Sequence, residues 1–357
     1  MHTLATTPAV VSESRWQRRG PIITLLLLAP VISELLYGAM RLSVIFILIP
    51  EILTWGCGAL LIRECVRSWR KGWISMLLMG LALAVAEEWV IQQTSIAPFV
   101  AGHAYGRAYG VNWIYFLWAL GYESVWVVVL PVQLTELLFR QRRNQPWLRT
   151  RGRIITGVSF ALGARMAWYG WTQRARVKIF HLPPYTPPAS YLLIGIGAIL
   201  LLCLMAYALP EGRENDGGSR SAPAAWVVGG VFFALGAPWA AFALLGWGGG
   251  IPGVPRFETV FAFGLAWAAL TFFLVRQWTS AHNWNDQDRF AVVFGGVLAC
   301  AVGGFVVFRV GGALRIDWIG KAVFDAAAIV WLFLEGRKLN RATASEGTVD
   351  SARFTRR

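Results

Sequence analysis

Two carboxylates stand side by side in the apolar stretch Leu81-Ala82-Leu83-Ala84-Val85-Ala86-Glu87-Glu88-Trp89-Val90-Ile91-Gln92-Gln93. Further acids, Glu34, Glu51, Glu123 and Asp325, also lie inside apolar runs. A carboxylate at the centre of a lone membrane helix costs roughly 2.5–3.5 kcal/mol. Residues that costly persist where they pair, hold a proton or meet water. Adjacent carboxylates in low dielectric do not both ionise easily, so Glu87 and Glu88 are expected to hold a proton between them. Such a group can serve as a general base, a proton relay or a polar clasp between helices.

The helices that carry these acids bring them to one level. At about 1.5 Å of rise per residue, Glu34, Glu51, Glu88, Glu123 and Asp325 fall about 10–16 Å below the outer ends of their helices. That level is a slab between the outer face and the midplane. Arg165, about 10 Å from the outer end of its own helix, is the expected buried counter-charge. Tyr122 adjoins Glu123, and Gln92 follows the paired glutamates by one helical turn. The loop His103–Trp113 is placed to close over the slab, or to form an interfacial aromatic belt. Glu64 is expected to pair with neighbouring arginines and Glu136 to sit at the interface beside Arg140. Lys321 and Asp325 have the i,i+4 spacing of a helical ion pair.

Composition sets the class. The 357 residues are 56% hydrophobic and only 15% charged, whereas a soluble domain is about one-quarter charged. The pattern predicts an all-α, polytopic membrane protein with about ten helices of about 20 residues each, in two bundles. The expected spans are 22–40, 43–62, 72–97, 112–139, 154–172, 190–209, 224–247, 258–278, 290–310 and 316–334. Lys and Arg, 33 in all, concentrate at alternate helix ends, which places both termini in the cytoplasm of a plasma (inner) membrane protein. The domain plan is a disordered tail at 1–20, a carboxylate-bearing bundle at 21–182, and a Pro-rich segment, sixth span and flexible linker at 183–222. A Gly/Ala/Phe-rich bundle at 223–336 and a basic tail at 337–357 complete it.

The +14 charge is spread over loops rather than gathered on one soluble face, which excludes a nucleic-acid reading. The bilayer itself is the expected partner, with a membrane peptide or small molecule as substrate; oligomeric state is left open. No H-E-x-x-H, P-loop, G-x-S-x-G or dinucleotide fingerprint occurs. No metal and no cofactor is therefore expected. Cys57, Cys65, Cys203 and Cys300 lack C-x-x-C spacing and are expected as small buried hydrophobes.

Glu87-Glu88-Trp89-Val90-Ile91-Gln92 resembles the E-E-x-x-x-R signature of the CPBP (CAAX-processing and bacteriocin-processing) intramembrane proteases. The resemblance implies a glutamate-activated water inside a membrane cavity, with Glu87 or Glu88 as general base. Gln92 stands where the family has Arg, and neither F-x-x-x-H nor H-x-x-x-N/D follows in a later span. The set Ser33-Glu34, Glu87-Glu88, Tyr122-Glu123-Ser124 and Glu136-Leu137-Leu138-Phe139 also resembles a group of bacterial polytopic membrane proteins, which implies no activity. Three functions fit these residues. One is an intramembrane peptidase, with Glu123 or Tyr122 orienting water. The others are a proton-coupled small-molecule carrier and a non-catalytic membrane scaffold.

Overall fold

The computed structural model describes residues 14–98, 105–211, 220–246, 253–310 and 312–354. His103, most of the linker and the first thirteen residues lie outside them, so the expectations for those positions are not addressed.

The described chain is nearly all helix. In order come α1 (Arg15–Pro30), α2 (Leu48–Glu51), α3 (Cys57–Ser68), α4 (Trp73–Val85), α5 (Trp113–Tyr122), α6 (Leu130–Leu138) and α7 (Thr150–Trp168). Then follow α8 (Arg176–Lys178), α9 (Ala189–Ala208), α10 (Ala225–Gly246), α11 (Phe257–Thr279), α12 (Asp286–Val310) and α13 (Arg315–Phe354). A two-stranded antiparallel hairpin, β1 (Arg107–Ala108) and β2 (Val111–Asn112), pairs Arg107 with Asn112 and Ala108 with Val111.

Seven helical stretches among the described residues are long and apolar enough to cross a membrane: Leu42–Ser68, Trp73–Ile91, Trp113–Leu138, Ala189–Ala208, Ala225–Gly246, Phe257–Thr279 and Asp286–Arg309. They differ in position. Two-thirds of the apolar window of Trp113–Leu138 is buried (67%), against 6% for Phe257–Thr279. The first is therefore central and the second turns its side chains outward, to where lipid would lie.

Several boundaries depart from expectation for local reasons. The first helix begins at Arg15, inside the stretch expected to be disordered. Ser14 and Gln17 form a reciprocal capping box there, which satisfies free N–H groups at the helix start. The span expected to run to residue 97 stops at Ile91, because Gln93 takes a left-handed backbone (φ 60°) and 94–96 turn. The expected C-terminal tail continues α13 as helix to Phe354. The proposed division near 180–220 does not separate the core. One apolar cluster joins Ile32, Tyr37, Trp118 and Tyr122 to Trp239, Phe242, Val297 and Leu332.

The spans that carry Glu34, Glu51, Glu87 with Glu88, and Glu123 share a feature absent from the helix of Asp325: each is broken by a wide, π-helical turn. These turns are Val31–Leu35, Ile52–Gly56, Ala86–Ile91 and Glu123–Val129. In the third, the Gln92 N–H donates five residues back to the Glu87 carbonyl at 2.8 Å. An inserted residue of this kind rotates the following side chains around the helix and frees backbone carbonyls, and it is frequent at functional sites.

Candidate functional site: a buried carboxyl cluster

Glu87 and Glu88 occupy the turn Ala86–Ile91, and Glu123 opens the turn that follows α5. All three are buried. The two helices approach closely because Gly80 has no side chain. A Cβ there would sit 2.9 Å from the Ser124 Cα. About two turns beyond Gly80, Glu87 and Glu123 come within electrostatic reach of each other.

Consecutive residues on a helix project about 100° apart, so Glu87 and Glu88 diverge. Glu87 turns to Glu123, whereas Glu88 accepts a hydrogen bond from Ser95 Oγ at 2.7 Å. Glu34 lies within electrostatic reach of both Glu87 and Glu123, and Glu51 within reach of Glu34. Both Glu34 and Glu51 are half-buried. Tyr122 donates to the Ser33 carbonyl in the broken end of the first helix. Its ring stacks on Trp118 at 4.7 Å between centroids, with Tyr37 also at 4.7 Å. The Tyr37 hydroxyl, Trp118 Nε1, Glu87 Oε2 and Glu123 Oε2 are buried without a conventional hydrogen-bond partner.

The segment 92–98 is tied to the cluster through Ser95 and Glu88, and its carbonyls are held by two arginines. Arg107 donates to Ala97 O at 2.7 Å and to Ile96 O at 3.2 Å. Arg176 donates to Pro98 O at 2.8 Å and to Pro183 O at 2.9 Å. The Asn112 amide, buried, donates to Gly246 O at 2.7 Å. The hairpin is therefore a strut for the cover, beyond the aromatic belt expected of its sequence. Ser95, Arg107 and Arg176 were not legible as site residues. The Gln-Gln-Thr-Ser run before Pro98 is a turn signal, but nothing local ties it to Glu88.

Other expected members fall elsewhere. Arg165 is exposed and lies over the Trp168 ring at 4.2 Å, so it is not the buried counter-charge. Among the described residues, no Lys or Arg is an electrostatic neighbour of Glu34, Glu87, Glu88 or Glu123. Asp325 leaves the acid layer by pairing with Lys321, as the spacing predicts. Lys321 Nζ also caps Leu36 O at 2.7 Å and Ala301 O at 2.9 Å. Gln92 is half-buried beside the cluster. His282 lies against Arg220 O, at the end of α11 remote in sequence from the acids. No group of three or more His, Cys, Asp and Glu side chains among the described residues is arranged to hold a metal. Cys57 and Cys300 are buried; all four cysteines are free thiols.

A second buried charge cluster lies away from the first. Glu136 is not beside Arg140 at an interface; it is buried and binds Arg63 and Arg67. The Arg63 guanidinium reaches Glu136 Oε1 at 3.0 Å, Glu64 Oε1 at 2.9 Å and the carbonyls of Gln145, Arg142 and Arg143. Its plane lies 3.3 Å from the Trp147 ring centroid. All five of its N–H donors are thereby used. This cluster is neutralised; the upper one is not.

Comparison of the chain with protein-family models, curated proteins and solved structures returns no match. The likeness to the CPBP proteases therefore rests on the six residues Glu87–Gln92.

Proposed function

We propose that the chain is a multi-pass protein of the plasma (inner) membrane that couples proton binding at Glu87–Glu123 to movement of a small molecule. The seven apolar helices support the membrane reading. Counting the α1, α7 and α13 regions as crossings brings the total to about ten and both chain ends to the cytoplasmic face. The arginines of 140–153 favour that orientation.

One observation carries the functional reading: Glu87 and Glu123 are buried within electrostatic reach of each other, and their charged neighbours are other acids. Four ionised acids inside apolar spans would cost on the order of 10 kcal/mol, comparable with a whole domain's stability of about 5–15 kcal/mol. The cluster is tolerable when it carries protons, and a proton is a ligand that needs no void. Glu88 joins that chemistry to the cover through Ser95, so a change in charge below is felt by the segment above.

The same pair supports a second reading as a glutamate-dependent intramembrane peptidase acting on a membrane peptide. Two carboxyls on neighbouring helices that share a proton can divide the roles of base and acid around a water. Infrared difference spectra between acidic and neutral pH separate the readings from a scaffold. The protonated-carboxyl band should weaken and lose its wild-type pH response in both Glu87→Gln and Glu123→Gln, with the fold retained. A quenched transmembrane reporter peptide cleaved by the wild type alone selects the peptidase; no cleavage with the band present selects the carrier. Variants that keep the wild-type pH response leave only the scaffold.

A further inference from the structure

The acid cluster does not account for the open pocket at the other end of the central helices. This cavity, about 610 Å³, lies where α6 ends, beside the start of α12 and the middle of α13. That volume is within the usual range of about 300–1,000 Å³ for a ligand site. Its walls are apolar: Leu134, Leu137, Leu138, Phe139, Phe290 and Leu339. Its rim carries Arg140, Arg142 and Lys338 against the single carboxylate Glu335. Lys338 pairs with that carboxylate at 2.7 Å.

The two arginines are held in place by partners within the protein and are only partly neutralised. Arg140 Nε contacts Asp286 at 3.3 Å, but Arg140 Nη2 is buried without a partner. Arg142 Nη1 donates to the Gln17 and Arg18 carbonyls, while Arg142 Nε is likewise unpartnered. A buried guanidinium N–H without an acceptor is costly. The backbone that carries them is rigidly held, because Arg63 and the Trp147 indole bind the Arg142 carbonyl from below. The site is therefore preorganised, with two guanidinium groups and the Lys338 ammonium at the rim of an apolar slot at the level where helices end.

We infer that this pocket binds an anionic phospholipid, the phosphate at Arg140, Arg142 and Lys338 and an acyl chain along the leucine and phenylalanine wall. Charge complementarity selects the headgroup, since basic pockets between helices at a membrane face suit anionic lipids. The apolar wall selects a lipid over a soluble anion. The assignment rests on membrane residence and is independent of the proton site.

The test uses the full chain purified in neutral detergent. Phosphatidylglycerol and phosphatidylcholine are titrated separately, and retained lipid is read by native mass spectrometry alongside the thermal midpoint. Phosphatidylglycerol should bind roughly ten-fold or more tightly than phosphatidylcholine. Lys338→Gln, and Arg140→Gln combined with it, should remove most of that preference. Arg140→Gln leaves Asp286 paired with Arg143 and Arg289, so the fold is kept. Equal binding of the two lipids by the wild type overturns the site. Protection by millimolar inorganic phosphate equal to that by phosphatidylglycerol overturns the lipid assignment, as does a double variant that retains full preference.

Discussion

Arg63 and Glu87 are both buried charged residues of helical spans, and their surroundings differ in kind. Around Arg63 every donor has an acceptor, and two carboxylates balance two guanidinium groups. Removing one partner from such a node leaves uncompensated charge in low dielectric, at a cost of about 3–5 kcal/mol. Arg63→Met should therefore lower the thermal midpoint markedly, and Arg63→Lys should recover only part of the loss, having three donors for five acceptors. An unchanged midpoint in both would show that the node contributes nothing to stability. Around Glu87 the charged neighbours are other acids, and no cation balances them among the described residues. Part of this was readable from local order: Arg63 and Glu64 are adjacent, and Lys321 and Asp325 share a helical face. The Arg63–Glu136 and Glu87–Glu123 pairings were not, because the partners come from different helices.

Between helices, the decisive devices are wide turns and close approaches. A π-helical turn changes the direction of a side chain by inserting one residue, which an averaged hydrophobic period does not register. In helices apolar on every face there is also no polar stripe from which to read orientation. The contact of α4 with the turn Glu123–Val129 depends on Gly80. Gly80→Val should force these helices apart, cost about 1–3 kcal/mol through overpacking, and abolish the protonated-carboxyl signal of the Glu87–Glu123 pair. Gly157→Val is the control, since a Cβ at Gly157 meets nothing within 4 Å. If the Gly80 variant keeps the signal, the closeness of these helices does not assemble the proton site.

For the molecule as a whole, the two polar clusters and the open pocket define opposite ends. The hairpin end carries Tyr109, which is 93% exposed; the other carries the Arg140–Arg153 region. In a background with the native cysteines replaced by Ser, Tyr109→Cys should react with a membrane-impermeant maleimide added to intact cells. Gln141→Cys should react only in inverted vesicles. The reverse pattern would invert the orientation, and labelling of both positions from one side would end the ten-crossing topology.

Membrane residence and helical class follow from composition, because hydrocarbon demands long apolar segments with internally satisfied backbones, a requirement visible in any single stretch. The depth of each acid does not follow, because it is counted from a helix end: Glu88 lies three residues from the end at Ile91, and Glu34 lies in the last turn of its helix. Which acid meets which, and which arginine stays outside, depends on helix rotation and on contacts between residues far apart in sequence. Those are settled only when the apolar faces pack, and so Glu123 rather than Glu88 became the partner of Glu87, while Arg165 turned outward onto Trp168.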